Sequence, residues 1–139
     1  MIPYGKQSID NNDIEAVINI LKSDWLTTGP IVEKFEIAFA KFTCSKYAVA
    51  VNSGTAALHC AMHAINIKPG DEVLVPTMTF AATPNCVLYK NATPVFIDVN
   101  PNSLLIDTKE IEKKINKNTK AIIVVDYAGH PADYDILID

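Results

Sequence analysis

The chain contains no arginine; all 12 of its basic residues are lysines. A planar guanidinium fork for carboxylate or phosphate is therefore excluded, and any anion must be held by backbone N–H groups, hydroxyls or lysine. Basic charge is also in the minority. With 16 acidic residues the formal net charge is −4, which argues against non-specific nucleic-acid binding through a basic face. No apolar run approaches the roughly 18 to 20 residues of a membrane span. The opening Met1-Ile2-Pro3-Tyr4-Gly5-Lys6 lacks the apolar core of a signal peptide. Cysteine is scarce: Cys44, Cys60 and Cys86 form no CxxC pair and are odd in number. They read as buried free thiols of a reducing cytoplasm. Repeats, low-complexity tracts and linker-like stretches are absent too.

What remains is a chain of 139 residues, 49% hydrophobic and 20% charged, enough for one compact core. Ile14, Val17, Ile18 and Leu21 recur at helical spacing, with Asn12 and Glu15 as a weak capping box. Val32, Phe35, Phe39 and Phe42 make a second apolar stripe. Between the stripes, Asp24-Trp25-Leu26-Thr27-Thr28-Gly29-Pro30 reads as a loop, because Gly and Pro end both patterns.

From residue 47 the rhythm changes. Tyr47 to Val51 reads as a first strand, and Thr55 to about Asn66 as a helix. Glu72 to Val75 reads as a second strand, then a helix from Pro84 to about Tyr89 and a third strand from Pro94 to Val99. Asp107 and Glu110 open a helix containing Ile111 and Ile115; Ala121 to Val125 is a fourth strand. Strand and helix in alternation imply βαβ units, a mainly parallel sheet and the α/β fold class. Continuous apolar strands, rather than alternating ones, imply helices on both faces. The pattern breaks off at Asp135-Ile136-Leu137-Ile138-Asp139, which reads as the start of another helix at which the domain is cut short.

Three segments stand at strand ends. Asn52-Ser53-Gly54-Thr55-Ala56-Ala57-Leu58 joins a strand to a helix whose first N–H groups lack internal partners and lie at its positive end. Gly54 allows close approach and the Thr55 hydroxyl adds a donor, so the turn is a phosphate cradle in the general sense. Taken alone, an ordinary strand–helix turn with Thr55 as cap is the plainer reading of these residues. The motif is neither GxGxxG nor a Walker loop. Pro76-Thr77-Met78-Thr79-Phe80-Ala81-Ala82-Thr83-Pro84-Asn85 lies on the same sheet edge, where ligands of open α/β sheets bind. There Phe80 could lie on a planar ring, or simply pack into the core. Val125-Asp126-Tyr127-Ala128-Gly129-His130-Pro131 occupies that edge as well, with a plain Gly-Pro turn as the other reading.

In this order, with the Asp24–Pro30 loop ahead of them, these segments resemble the DegT/DnrJ/EryC1/StrS aminotransferases from Ile2 to Asp135. The resemblance implies the N-terminal part of the large domain of a fold-type I pyridoxal-phosphate (PLP) enzyme acting on nucleotide-linked keto-sugars. It divides the chain into N-terminal helices and substrate loop over 1–45 and βαβ units over 46–139. Thr55 and Ala56 would hold the PLP phosphate, and Phe80 would stack on the pyridine ring. Tyr4, Asp24, Trp25, Leu26, Thr27 and Gly54 would line the nucleotide-sugar pocket. Glutamate would be the amino donor, a homodimer the assembly and the cytoplasm the location. The opening Ile2 to Ile9 and Val125 to Pro131 look most like the pseudaminic-acid branch, whose substrate is a UDP-sugar.

One departure is large. The family's Schiff-base lysine and the aspartate facing the pyridine nitrogen would lie beyond residue 139, in a protein of which this chain is roughly a third to two-fifths. None of the lysines matches that place, so the chain alone is expected not to transaminate. A dehydratase relative with histidine in place of the lysine, or a non-catalytic module, are the other readings. His59, Cys60 and His63 make an H-C-x-x-H pattern without the glutamate of HExxH, and no metal is expected. The charges from Glu110 to Lys117 read as a solvated helix face. Trp25, the single tryptophan, suits a pocket or interface as well as simple packing.

Overall fold

A computed structural model describes residues 5–138. The chain divides into two compact units, with the boundary between Ala50 and Val51.

The first unit holds two helices. α1 (Asn11–Leu21) is capped by Asp10, whose carboxylate accepts the N–H groups of Asn12 and Asp13 at 2.8 and 3.0 Å. The Asp13 carboxylate returns the contact to the Asp10 N–H at 3.0 Å, which completes a capping box. The box therefore sits two residues before the Asn12–Glu15 pair expected from sequence, because Asn12 already lies inside the helix. α2 (Pro30–Phe42) starts with proline at its first position, where the missing N–H costs nothing. The turn into it needs Gly29: a Cβ there would fall 2.8 Å from the Cβ of Trp25. Both apolar stripes form on their helices, yet Ala40 is the one buried residue of the two helices.

Residues 47–51, expected as a strand, form none. The Ala50 N–H goes to the Glu36 carboxylate at 2.8 Å instead of to a neighbouring chain, and a strand without a ladder partner is not a strand.

The second unit carries the core. A three-stranded sheet has the order β2-β1-β3, all parallel, with β1 (Glu72–Pro76), β2 (Thr93–Ile97) and β3 (Thr119–Ile122). α4 (Ala82–Leu88) connects β1 to β2, and α5 (Thr108–Lys114) connects β2 back across to β3. The two connections run in opposite directions, so crossovers of one hand place their helices on opposite faces. The core divides accordingly. Val73 and Val75 of β1 pack with Cys86 and Val87 of α4 and Met62 of α3 (Gly54–Ala64). Leu74, pointing the other way, packs with Ile97, Ile106 and Ile111, and Leu137 of α6 (Tyr134–Ile138) leans on that cluster. Both faces are covered, which is why the strands read as unbroken apolar runs.

β3 is shorter than the fourth strand expected and begins two residues earlier. Its last contact is the Ile123 N–H on the Leu74 carbonyl at 2.8 Å; β1 then ends at Pro76, which has no N–H to extend the ladder. Beyond it, Tyr127–Gly129 forms a 3-10 turn in which Ala128 and Gly129 have φ of 53° and 80°. The cysteine expectation holds for Cys86 alone: Cys44 and Cys60 are exposed. Cys44 sits in a left-handed turn after α2 (φ 55°) and Cys60 on the outer side of α3. Among the described residues no helix is long and apolar enough to cross a membrane.

Candidate functional site

At the C-terminal end of β1 the chain leaves Pro76, forms the loop Thr77–Ala81 and enters α4. The N-terminus of α3 faces this loop. Between them lies an open cleft of about 640 Å³, lined by Gly54, Thr55, Ala57, Leu58 and Ala61 on one side and by Phe80, Ala82 and Thr83 on the other. Positions 54, 57, 58 and 61 share one face of a helix, and the small residues among them keep that wall open. The walls are apolar except for the hydroxyls of Thr55 and Thr83. No lysine is among the lining residues.

Local chemistry explains the floor. α3 begins at Gly54 rather than Thr55, and its cap is Ser53, not Thr55. Ser53 Oγ accepts the Ala56 N–H at 3.2 Å, and the Ser53 carbonyl takes the Ala57 N–H at 3.0 Å. The N–H groups of Gly54 and Thr55 have no acceptor within the helix. They stand at its positive end, where an anion is favoured. A Cβ added to Gly54 would meet nothing within 4 Å, so the space beside these donors is clear. An anion with an apolar ring attached fits this donor set and these walls.

Phe80 is 78% exposed. Within this chain it therefore does not take core packing, the plainer reading of an aromatic at a strand end. Thr83 is the opposite case: 5% exposed, it is the one polar side chain buried among the described residues. Its hydroxyl accepts from Thr79 Oγ1 at 2.7 Å. Sequence reasoning placed Ser53, Leu58, Thr79 and Thr83 in the strand-end segments without giving any of them a role of its own, and it did not single out Ala61. A serine one residue before the helix was a readable cap signal; the other four become site residues only through the packing of α3 against α4.

Gly54, Thr55 and Phe80 thus come together in one cleft. Ala56 does not line it, since its N–H is turned to Ser53. In the first unit, Trp25 lines a cleft of about 420 Å³ with Thr28, Gly29, Pro30, Val32, Glu33 and Glu36. Asp24, Leu26 and Thr27 are exposed in the same loop and do not line that cleft. Tyr4 lies outside the described residues.

At the end of β3, the Asp126 carboxylate accepts the Ala132 N–H at 2.9 Å and the Tyr134 hydroxyl at 3.0 and 3.1 Å. That hydrogen bond holds the Tyr134 phenol above its ordinary pKa. Burial pushes the Cys86 thiol up. On α3, His59 meets the edge of Tyr89, with ring centroids 5.3 Å apart, and His63 Nδ1 lies 3.1 Å from Lys90 Nζ. Among the described residues no His, Cys, Asp and Glu side chains group into a metal site.

The family model for the DegT/DnrJ/EryC1/StrS aminotransferase family matches residues 7–139. An uncharacterized protein of Methanocaldococcus jannaschii, MJ1066, is 44% identical over 137 residues, which cover 99% of this chain and 36% of that protein. The PLP form of the putative sugar aminotransferase Spr1654 from Streptococcus pneumoniae superposes with a TM-score of 0.90 at 36% identity. There the match covers 99% of this chain and 35% of that one. The E. coli GDP-4-keto-6-deoxy-D-mannose-3-dehydratase with bound hydrated PLP gives a TM-score of 0.90 at 30% identity, over 97% of this chain and 36% of that one. The chain thus spans about a third of the length of the relatives it matches. Its parallel sheet with flanking helices is the N-terminal part of a fold-type I aminotransferase large domain. On the match that runs from residue 7 to 139, the chain belongs to the DegT/DnrJ/EryC1/StrS aminotransferase family.

Proposed function

We propose that this chain is the cofactor-holding part of a PLP-dependent nucleotide-sugar aminotransferase. The observation that carries the reading is the cleft in which an anion-ready helix N-terminus faces an exposed aromatic ring across apolar walls. In this reading the N–H groups at the start of α3 and the Thr55 hydroxyl hold the phosphate of PLP. Ala56 joins them when Ser53 Oγ swings away from its N–H. Phe80 lies on the pyridine ring and keeps water from one of its faces. When bound, the cofactor supplies the electron sink for amino transfer; the protein supplies position and electrostatics.

Cofactor retention here rests on non-covalent contacts, because no lysine lines the cleft. The amine that would attach PLP, and the partner of its ring nitrogen, belong to other parts of the enzyme. On its own, therefore, the chain does not transaminate. For the whole enzyme we assign transfer from glutamate to C4 of a UDP-linked 4-keto-6-deoxy amino sugar, in pseudaminic-acid synthesis. Tyr4, Asp24, Trp25, Leu26, Thr27 and Gly54 contact the sugar nucleotide, and the assembly is a homodimer. A dehydratase using the same cofactor cleft is the second reading, favoured by the likeness to the dehydratase of E. coli.

The test uses pyridoxamine 5′-phosphate, which carries no aldehyde to react with the surface lysines. Titration of the chain should show saturable binding that Thr55→Ala and Phe80→Ala each weaken by about tenfold, as loss of one charged hydrogen bond or one stacked ring would give. Equal affinity of both variants and the parent chain would refute the site.

A further inference from the structure

We infer that the hydroxyls of Thr79 and Thr83 form a bridge that sets the direction of Phe80 over the cleft, which makes both threonines positioning residues. The inference builds on the cofactor reading above, yet concerns residues to which that reading gives no role.

Phe80 has no packing of its own to orient it, being 78% exposed. Its direction must come from the backbone that carries it, and that backbone is fixed at both neighbours. On the far side, the Phe80 carbonyl accepts the Thr83 N–H at 3.0 Å. On the near side, Thr79 Oγ1 reaches Thr83 Oγ1 at 2.7 Å. Both bonds end on Thr83, which is held in α4 beside the fully buried Cys86 and Val87. The aromatic residue thus stands at the apex of a short loop tied twice to one residue of the core.

The burial of Thr83 points the same way. A buried hydroxyl carries a desolvation cost unless it is paired, whereas valine has the same shape and carries none. What the hydroxyl adds at this position is the bridge to Thr79. Further up the loop, the Thr77 N–H on the Ile97 carbonyl at 2.9 Å and Thr77 Oγ1 on Asp98 at 3.2 Å fix where the loop leaves the sheet. They leave the two residues that follow, Met78 and Thr79, free to turn. Thr79 is then the point where the direction of Phe80 is decided.

The experiment varies Thr79, which lies on the loop, so that folding of α4 is not at stake. In the ligand-free chain, three-bond HN–Hα couplings should report one fixed backbone φ for Phe80 in the parent and in Thr79→Ser, and an averaged value in Thr79→Val. Thr79→Val should weaken pyridoxamine 5′-phosphate binding roughly three- to tenfold, a coupling expected of neighbours that act together. Thr79→Ser should restore it. In a Phe80→Ala background, Thr79→Val should change nothing further. An unaltered Phe80 backbone coupling in Thr79→Val, or the same loss with and without the ring, overturns the bridge as a positioning device. If the parent chain binds no pyridoxamine 5′-phosphate, the cofactor reading fails, and the backbone coupling measurement alone decides the bridge.

Discussion

Ser53→Ala separates the two demands on the start of α3. In the ligand-free chain Ser53 Oγ accepts the Ala56 N–H at 3.2 Å. Removing that cap costs about 1 kcal/mol, seen as a fall in melting temperature of about 4 °C or more for a folding unit of under 100 residues. A phosphate that takes the Ala56 N–H must displace the same hydroxyl, so the parent chain spends about that energy on binding and the variant does not. The variant should therefore bind pyridoxamine 5′-phosphate roughly fivefold more tightly. As ligand rises to about a hundred times its dissociation constant, stabilising the parent by about 2.7 kcal/mol, the gap in melting temperature should close. Differential scanning fluorimetry over a ligand series measures both effects. A gap that persists at saturation would mean that Ser53 keeps its bond while ligand is bound, and Ala56 would drop out of the site.

Three further outcomes follow from other parts of the molecule. Iodoacetamide at pH 8 should modify Cys44 and Cys60 but not Cys86, whose thiol is buried and titrates high; mass spectrometry should count the third adduct only after denaturation. Tyr134→Phe should destabilise the chain at neutral pH. The folded-state pKa of Tyr134 is raised by Asp126, so its contribution is complete below the ordinary tyrosine pKa and is lost as pH climbs through the raised value. Parent and variant should then converge in strongly alkaline solution, and denaturant titrations at several pH values would show otherwise if the bond to Asp126 were absent. Leu74→Ala, at a fully buried position in the central strand, should cost about 2–5 kcal/mol. A loss under 1 kcal/mol would mean that this face of the sheet is not packed as described.

Much of the second unit was legible from its residues. The strands read over Glu72–Val75 and Pro94–Val99 form as Glu72–Pro76 and Thr93–Ile97, readable because a sheet covered on both faces demands apolar side chains along most of each strand. Asp107 signalled the start of α5 because its carboxylate takes the Lys109 N–H at 3.0 Å. The Tyr47–Val51 strand does not form in this chain, although it was read on the same signal as the others. Apolar β-branched residues report a preference, while a strand exists only where another chain segment answers its N–H and C=O groups, and here Glu36 answers first. Phe80 was ambiguous by composition. An aromatic at a strand end is more plainly a core residue than a cleft one, and only its 78% exposure in this chain sets the core reading aside here.

Local chemistry along the chain, then, was enough to call for parallel βαβ units, for a helix N-terminus able to take an anion, and for a ligand at the C-terminal edge of the sheet. Those features depend on neighbours a few residues apart. The cleft depends on neighbours far apart: Gly54 and Leu58 meet Phe80 and Thr83 across an interval filled by β1, and Thr83 is buried with its hydroxyl turned to Thr79. Short-range signals fix which groups are available. Only the packing of α3 and α4 on one face of the sheet decides which of them face each other, because that depends on how whole elements bury their apolar surfaces together.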